Sequence, residues 1–263
     1  MDYERLPEGI RRQIENLPYT VDGTGKSGSQ VLLFPELVLK IGTPNPQTPG
    51  VVRVMQWLEG KLPAPRVIHF EADGEKEYLL MTRVPGKMAC DRQYLEQPDT
   101  LLSLLSEALH MLWQVDIAGC PRSRSLRDEL SEARSRLENG LMDLSRCEPE
   151  TFGPGGFESP EKLLSWLESN QPSPETAFSH GDCCLPNIFF LDGRVSGFID
   201  LGDAGIADQW RDISLCWRSL KHNTDGRYGR VLPGFRAERL FDYLEIRPDM
   251  DKMRYYLLLD EFF

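Results

Sequence analysis

The chain has 263 residues, enough for one large core or for two lobes around a cleft, and its 40% hydrophobic and 27% charged residues are typical of a globular protein. It has no run of about 18 apolar residues, no signal-peptide pattern and no CxxC pair among its six cysteines, so we expect a cytoplasmic protein with reduced thiols and no zinc site. A net charge of −11 argues against nucleic acid as a partner and weakly favours a cationic ligand.

The first ninety or so residues predict a small, mostly β lobe. Residues 20–41 predict a β-hairpin, with a glycine-rich turn (TVDGTGKSGSQ) and strand residues on both sides of Pro35-Glu36. A helix is predicted over 51–60, ending at Gly60. Two strands around Asp73-Gly74 follow, and a connector near residues 83–87 ends this part of the chain.

After Gly86 the apolar residues recur at helical spacing, which predicts a larger helical lobe. A leucine-rich helix is predicted over 100–114 with Asp99 or Thr100 as its cap, and Ser159-Pro160 predicts the start of a helix that runs to Ser169. The other predicted elements are a helix within 125–142, a hairpin over 188–200, and helices over 208–220, 234–244 and 249–261.

The strongest chemical signal is SHGDCCLPN at 179–187, followed by GFIDLG at 197–202. Asp182 and Asn187 have the spacing of the aspartate and asparagine in a kinase catalytic loop, and Asp200-Leu201-Gly202 resembles the metal-binding Asp-Phe-Gly. A polar turn capped by Asp and Asn is the alternative, which three residues in this order disfavour.

Hairpin geometry predicts that these residues converge. Asp192-Gly193 is a strong two-residue turn, and pairing outward from it sets Leu191 opposite Arg194 and Ile188 opposite Gly197. Asn187 and Asp200 then lie at the same open end, offset by about two residues or roughly 7 Å. Two oxygen ligands at that separation suit Mg²⁺, and Asp182 can accept a hydrogen bond from an attacking hydroxyl.

A kinase also needs a cation near the donor phosphates. Val38-Leu39-Lys40-Ile41 places Lys40 in an apolar strand, as in the kinase Val-Ala-Ile-Lys signature, although a solvent-facing strand lysine would look the same. Gly25-Lys26-Ser27 is not a P-loop, because residue 20 is threonine where that motif needs glycine. We predict instead that residues 23–28 form a turn covering the phosphates through backbone N–H groups.

With these motifs the sequence resembles the 3′-aminoglycoside phosphotransferase (kanamycin kinase) family over most of its length. Further matching segments are WLEGKLP at 57–63, Asp116-Ile117 with Cys120-Pro121, Ala207-Asp208 with Asp212-Ile213, and the carboxy-terminal LLDEFF. The resemblance implies an α+β, two-lobed protein-kinase-like fold, with a nucleotide-binding lobe and hinge over 1–86 and a helical catalytic and substrate-binding lobe over 87–263.

The resemblance also implies an activity and a set of site residues. The activity is transfer of the γ-phosphate of ATP or GTP to a hydroxyl, the 3′ one in that family, of an aminoglycoside, which confers antibiotic resistance. Neither nucleic acid nor a membrane is an expected partner. The implied residues are Asp182 for catalysis, Asn187 and Asp200 for Mg²⁺, Lys40, Ser27, Thr82 and Val84 for the nucleotide, and Asp260, Glu261 and Phe263 for the cationic substrate.

Four positions depart from the family's pattern. A glutamate on the helix after the strand lysine is absent from Gly50-Val51-Val52-Arg53, Asp203 replaces an arginine, Val38 replaces an aromatic residue, and His222 and Asn223 replace acids. Two alternatives therefore stay open. One is a kinase of the same fold that acts on another small hydroxyl compound, such as a sugar or a choline-like alcohol. The other is a homologue that binds aminoglycoside or nucleotide but turns over poorly.

Overall fold

The computed structural model describes residues 6–22 and 29–263. The elements of its first part are α1 (Glu8–Ile14), β1 (Thr20–Asp22), β2 (Gln30–Leu33), β3 (Leu37–Gly42), α2 (Thr48–Trp57), β4 (Val67–Ala72) and β5 (Glu77–Thr82). The strands form a five-stranded antiparallel sheet in the order β1-β2-β3-β5-β4. The predicted hairpin around Pro35-Glu36 is the β2–β3 pair, and the predicted strands around Asp73-Gly74 are β4 and β5.

Alternation along β5 explains why this sheet is buried on both faces. Leu80 packs with Ile10 and Ile14 of α1, whereas its neighbours Leu79 and Met81 belong to a core shared with the second lobe. Successive strand side chains point to opposite faces, so one sheet serves two cores. Lys40, on the central strand β3, lies next to Leu79 of β5 and reaches Asp200 of the second lobe.

The second lobe is mainly helical and contains two small sheets. Its helices are α3 (Arg92–Leu95), α4 (Pro98–Trp113), α5 (Leu126–Glu138), α6 (Pro160–Ser169), α7 (Gln209–His222), α8 (Arg239–Leu244) and α9 (Met250–Asp260). Its strands are β6 (Lys87–Met88), β7 (Thr176–Ser179), β8 (Ile188–Leu191), β9 (Arg194–Phe198) and β10 (Gly205–Asp208). One sheet has the order β6-β8-β9 and the other pairs β7 with β10. β6, β7 and β10 were not among the predicted elements.

Capping residues fix several helix starts. Ser125 and Ser159 accept backbone hydrogen bonds at the starts of α5 and α6, as the sequence predicts for α6. The predicted cap of α4 is wrong: the helix begins at Pro98, and the Asp99 carboxylate instead accepts a hydrogen bond from the Tyr243 hydroxyl at 2.8 Å. Pro98 already occupies the first turn, where its missing N–H costs nothing.

The helix predicted over 234–244 is shorter in the structure. It begins only at Arg239, after a segment in which Gly234 has a positive φ of 76°. That backbone conformation ends any helical path through this position. Among the helices that the structure describes, none combines the length and the apolar character that crossing a membrane requires.

Candidate active site

The β8–β9 hairpin turns at Asp192-Gly193 as predicted, with Leu191 opposite Arg194. The predicted pairing of Ile188 with Gly197 is wrong, since Ile188 lies opposite Phe198. A bulge at Ser196 adds one residue to β9, and the Ser196 hydroxyl donates to the backbone oxygen of Pro85 at 2.6 Å. As a result the backbone N–H of Ile199 donates to the oxygen of Asn187 at 2.9 Å, so the offset between Asn187 and Asp200 is one residue instead of two.

Asp182 and Asn187 are joined by side-chain hydrogen bonds. The Asn187 amide nitrogen donates to both the backbone oxygen and the carboxylate Oδ2 of Asp182, each at 2.9 Å. Because this nitrogen is held by Asp182, the amide oxygen is the atom that can face a cation. Asp182 itself is half-buried, which leaves part of its carboxylate open to a substrate hydroxyl.

Lys40 and Asp200 meet across the two lobes. The Lys40 Nζ lies 3.1 Å from Asp200 Oδ1, although the residues are 160 positions apart in the chain. The Lys40 side chain is 33% exposed and that of Asp200 is 54% exposed, so both are accessible from the cleft. Asp200 has a left-handed backbone conformation (φ 60°, ψ 58°), which only a well-held turn imposes on a residue with a side chain.

A buried carboxylate that the sequence analysis did not assign to the site holds the catalytic loop. Asp212, on α7, accepts hydrogen bonds from the Ser179 hydroxyl at 3.0 Å and from the backbone N–H groups of His180 and Gly181 at 2.8 and 3.0 Å. Burial raises the pKa of Asp212. The only signal in the sequence was its place in the segment Asp212-Ile213, which carried no role.

His180 braces the loop, as the sequence predicts. Its Nδ1 accepts from the backbone N–H of Asp182 at 3.3 Å, so its Nε2 donates to the Ile199 oxygen at 2.8 Å. The ring is fully buried and thus has no path to a substrate. Gly181 has a φ of 84°, and a Cβ there would lie 2.4 Å from the backbone oxygen of Asp203, so a side chain cannot stand beside Asp182 on this side.

The donor set fits Mg²⁺ better than a metal held by protein alone. In the described ranges, 6–22 and 29–263, no three His, Cys, Asp or Glu side chains converge on a possible ion position. Asn187, which is buried, could offer one amide oxygen to an ion, and Asp200, which is exposed, one carboxylate. Mg²⁺ commonly takes one or two such protein ligands and completes its shell with phosphate oxygens and water.

The other predicted nucleotide contacts lie at the connector between the lobes or outside the described residues. Thr82 ends β5, and its hydroxyl accepts from the backbone N–H of Arg66 at 2.8 Å. Val84 is buried, with a methyl group beside Gly197 of β9. Ser27 falls within residues 23–28, outside the described part of the chain. The nucleotide-binding roles of these residues stay predictions.

The carboxy-terminal acids lie at the end of α9, and protein groups already engage them. Asp260 forms an ion pair with Arg218. Glu261 accepts from the Thr151 hydroxyl at 2.7 Å and from the backbone N–H of Glu148 at 3.1 Å, and burial raises its pKa. The backbone oxygen of Phe263 accepts from Arg136 at 3.3 Å. The preceding Leu258, Leu259 and Phe262 are buried, as expected for a packed end of the chain.

Helix α7 connects one of these acids, Asp260, to the catalytic loop: Arg218 pairs with Asp260, and the hydroxyl of the next residue, Ser219, accepts from the backbone N–H of Leu185 at 3.0 Å. Cys184 precedes Leu185 in that loop. Burial raises the pKa of its thiol, and the nearby carboxylates of Asp182 and Asp260 raise it further. The charges of Asp182 and Asp260 thus both act on this thiol.

The substitution of acids by His222 and Asn223 is partly offset by an acid that the sequence analysis missed. Glu148, from the loop after α5, lies 3.6 Å from the His222 ring and also pairs with Arg227. Burial lowers the pKa of His222, so its ring adds no positive charge at neutral pH. The side-chain amide of Asn223, which is half-buried, donates to the Ser219 oxygen one turn earlier in α7. Nothing in the local sequence of Glu148 distinguishes it from other loop acids.

Comparison with known proteins gives consistent relatives. Residues 8–256 match the phosphotransferase enzyme family. The chain is 40% identical over 213 residues to the aminoglycoside 3′-phosphotransferase of Enterococcus faecalis (80% of this chain, 76% of the relative) and 34% identical over 270 residues to that of Niallia circulans (98% and 97%).

Two solved structures have the same fold. The crystal structure of aminoglycoside-3′-phosphotransferase of type VIII has a TM-score of 0.79 at 29% identity and covers 97% of this chain and 96% of its own. Aminoglycoside phosphotransferase APH(3″)-Id from Streptomyces rimosus has the same TM-score and the same coverage at 24% identity. The two-lobed, protein-kinase-like α+β fold predicted from the sequence is confirmed.

Proposed function

The chain belongs to the aminoglycoside 3′-phosphotransferase family, and on that premise we propose that it transfers the γ-phosphate of a nucleoside triphosphate to a hydroxyl of an aminoglycoside, which confers resistance. The observation that carries the proposal is the convergence of Lys40, Asp182, Asn187 and Asp200 at the cleft between the lobes. We further propose that residues 1–86 bind the nucleotide, that 87–263 hold the catalytic loop and the antibiotic, and that the enzyme acts in the cytoplasm.

The geometry supports direct in-line transfer. Lys40 neutralises donor phosphate oxygens, and Asn187 holds the Asp182 carboxylate so that it accepts the hydrogen bond of the attacking hydroxyl. A Mg²⁺ ion held by Asn187 and Asp200 would supply further charge neutralisation on the phosphates. The protein's part is positioning and electrostatic stabilisation, with no covalent enzyme intermediate.

Charge near the carboxy-terminus supports a cationic acceptor. Asp260 is connected to the catalytic loop through Arg218 and Ser219 of α7, Glu261 accepts from the backbone N–H of Glu148, and aminoglycosides carry several ammonium groups. Charge-assisted hydrogen bonds from those groups are the contacts that would orient a sugar hydroxyl toward Asp182. The ring of Phe263, the last residue, packs near these acids, with the Arg136 guanidinium 5.7 Å from its centre.

The engagement of Asp260 by Arg218 and of Glu148 by Arg227 favours one alternative, a kinase of the same fold for a less cationic hydroxyl compound. Substrate choice separates the two. Mass spectrometry of kanamycin incubated with the protein, ATP and Mg²⁺ is expected to show the addition of one phosphoryl group. A panel with sugars and choline-like alcohols run beside it would support the alternative if only those compounds were phosphorylated.

Asp182→Asn tests the assignment of the catalytic residue. The variant is expected to lose transfer while keeping its fold and its affinity for nucleotide, because Asp182 acts on the hydroxyl and not on the donor. A residual rate above about a tenth of wild type, which is under roughly 1.4 kcal/mol of barrier, would contradict the assignment.

A further inference from the structure

The turn that carries Asp200 is held from outside by a segment that belongs to neither strand of its hairpin. Residues 122–124 lie alongside β10: the N–H of Arg124 donates to the Ile206 oxygen at 2.8 Å, and the N–H of Ile206 donates to the Arg122 oxygen at 3.0 Å. Ser123 pairs with Ile206 in parallel register. These backbone hydrogen bonds fix the main-chain positions from which the side chains of Arg122 and Arg124 extend.

Both arginine side chains reach the turn over 201–203, immediately after Asp200. A guanidinium nitrogen of Arg122 donates to the backbone oxygen of Gly202. A guanidinium nitrogen of Arg124 lies 3.3 Å from the Asp203 carboxylate. Arg122 thus binds the backbone of the turn at Gly202, and Arg124 binds the side chain of the next residue, Asp203.

The Arg124 contact is part of a buried charge network. Arg124 is only 5% exposed and also pairs with Glu132 at 2.7 Å, while Glu129, itself buried, pairs with Arg211. Burial lowers the pKa of Arg211 to about 10. The two buried cations, Arg124 and Arg211, are thus paired with three anions: Asp203, Glu129 and Glu132.

Arg122 also extends toward the first lobe. Its second terminal nitrogen lies 3.5 Å from the side-chain oxygen of Gln47, at the start of α2. The α2 sequence, TPGVVRVMQW, contains no acid, and Lys40 pairs with Asp200 itself. α2 packs against the turn over 201–203 but offers no carboxylate to Lys40. Asp200 has a left-handed backbone and is also the residue that we propose as a metal ligand, so the position of its turn matters for both contacts.

We propose that Arg122, together with the Arg124–Asp203 pair, is a positioning device that fixes the Asp200 turn and thereby sets the affinity for metal-bound nucleotide. Neither arginine touches a reacting atom in this arrangement. Asp203, which replaces an arginine of the family pattern, is the anchor for Arg124. The effect on nucleotide affinity rests on the proposed function. The contacts of Arg122 and Arg124 with the turn do not, since they are present in the free protein.

Calorimetry with Mg²⁺ and a non-hydrolysable ATP analogue, without aminoglycoside, tests the nucleotide part. Arg122→Ala is expected to weaken metal-dependent binding about tenfold, the loss of one charge-assisted hydrogen bond worth about 1.4 kcal/mol. Metal-free nucleotide binding should change less than about twofold, and Arg122→Lys should recover most of the affinity, because one donor still reaches Gly202. Arg127→Ala, an exposed arginine at the start of α5, is the matched control and should behave as wild type.

Asp203→Asn tests the second contact without emptying the buried network, since an amide oxygen can still accept from Arg124. It should weaken the same binding less than Arg122→Ala does, and the double variant should exceed either single variant. Wild-type affinity in the folded Arg122→Ala protein would overturn the proposal.

Hydrogen exchange of the free protein tests the role of Arg122 without nucleotide. It therefore distinguishes a failure of this proposal from a failure of the proposed function. The amides of Ala204 and Ile206, which donate to Leu201 and Arg122, are expected to exchange faster in Arg122→Ala than in Arg127→Ala. If wild type bound no nucleotide, the proposed function would fail, but the exchange comparison would still decide whether Arg122 holds the turn. Equal exchange in the two variants would refute that role.

Discussion

Replacing Asp212 should loosen the catalytic loop more than any change to the residues that donate to it. Its buried carboxylate is the shared acceptor for the Ser179 hydroxyl and for the N–H groups of His180 and Gly181. Asp212→Ala removes the acceptor from all three donors. Ser179→Ala removes one donor and leaves the two backbone contacts in place. Comparing the two variants therefore distinguishes the effect of the whole carboxylate from that of its hydroxyl contact.

The structure gives the expected size of each effect. A buried N–H left without an acceptor costs about 1–3 kcal/mol, so two orphaned amides cost about 2–6 kcal/mol. Two features reduce that sum: the Ser179 hydroxyl, 3.1 Å from the Gly181 N–H, remains as an acceptor, and a buried charge disappears. We therefore expect Asp212→Ala to lower the free energy of unfolding by about 3 kcal/mol and Ser179→Ala by about 1 kcal/mol.

Urea denaturation followed by circular dichroism measures these differences, with Asp251→Ala, an exposed acid at the start of α9, as the control. Steady-state kinetics on the same proteins should show a fall in kcat on the order of a hundredfold for Asp212→Ala, because the loop it holds carries Asp182. The reasoning fails if Asp212→Ala is as stable as Ser179→Ala and keeps the wild-type kcat.

Three further outcomes are expected. Asp200→Ala should abolish metal-dependent nucleotide binding in calorimetry, whereas unchanged affinity would point to another acid, such as Asp203, as the ligand. Deleting residues 260–263 should raise the KM for kanamycin steeply and keep that for nucleotide within about threefold, or roughly 0.7 kcal/mol, provided that circular dichroism shows a folded protein; an unchanged kanamycin KM would favour a different substrate. The pH dependence of stability should differ between wild type and Asp212→Asn. Burial raises the pKa of Asp212 above 3.8, so folding favours its protonated form: relative to Asp212→Asn, wild type should be most stable below about pH 4 and should lose that pH-linked part of its stability as the pH rises through the raised pKa of the folded protein. The hydrogen bonds to the loop remain at neutral pH, and a difference in urea stability that is constant with pH would contradict the linkage.

The hairpin shows how far local sequence determines the site. Asp192-Gly193 correctly predicted the turn and its first pair, because a two-residue turn has few backbone solutions. The bulge at Ser196 was not predictable from the hairpin, since the Ser196 hydroxyl bonds to Pro85 and the N–H of Phe198 bonds to Pro63, both more than a hundred residues earlier. Tertiary contacts therefore determine the one-residue difference between the predicted and the observed offset of Asn187 and Asp200.

Long amphipathic helices were easier to predict than the short strands around the catalytic loop. α6 was predicted at both ends, because Ser159-Pro160 marks its start and its apolar spacing lasts to Ser169. β7 and β10 have four residues each and pair with one another across an intervening hairpin, so neither shows a periodicity that a sequence pattern can resolve. Because β7 was not predicted, the contact between Ser179 at its end and Asp212 was not predicted either, and Asp212 resembled any other acid on a helix.

The carboxy-terminal acids change the expected basis of substrate selection. The family resemblance implies that Asp260, Glu261 and Phe263 contact the cationic substrate, and in the structure Asp260 already pairs with Arg218 and the nearby Glu148 pairs with Arg227. A ligand with one ammonium group would exchange one partly exposed ion pair for another, and such pairs differ by only about 1 kcal/mol. A polycation that engages Asp260, Glu148 and Glu261 together pays its loss of translational freedom once and adds the gains of several contacts. Pre-paired acids therefore select for the number and spacing of the positive charges on a ligand, and not for the presence of a single one.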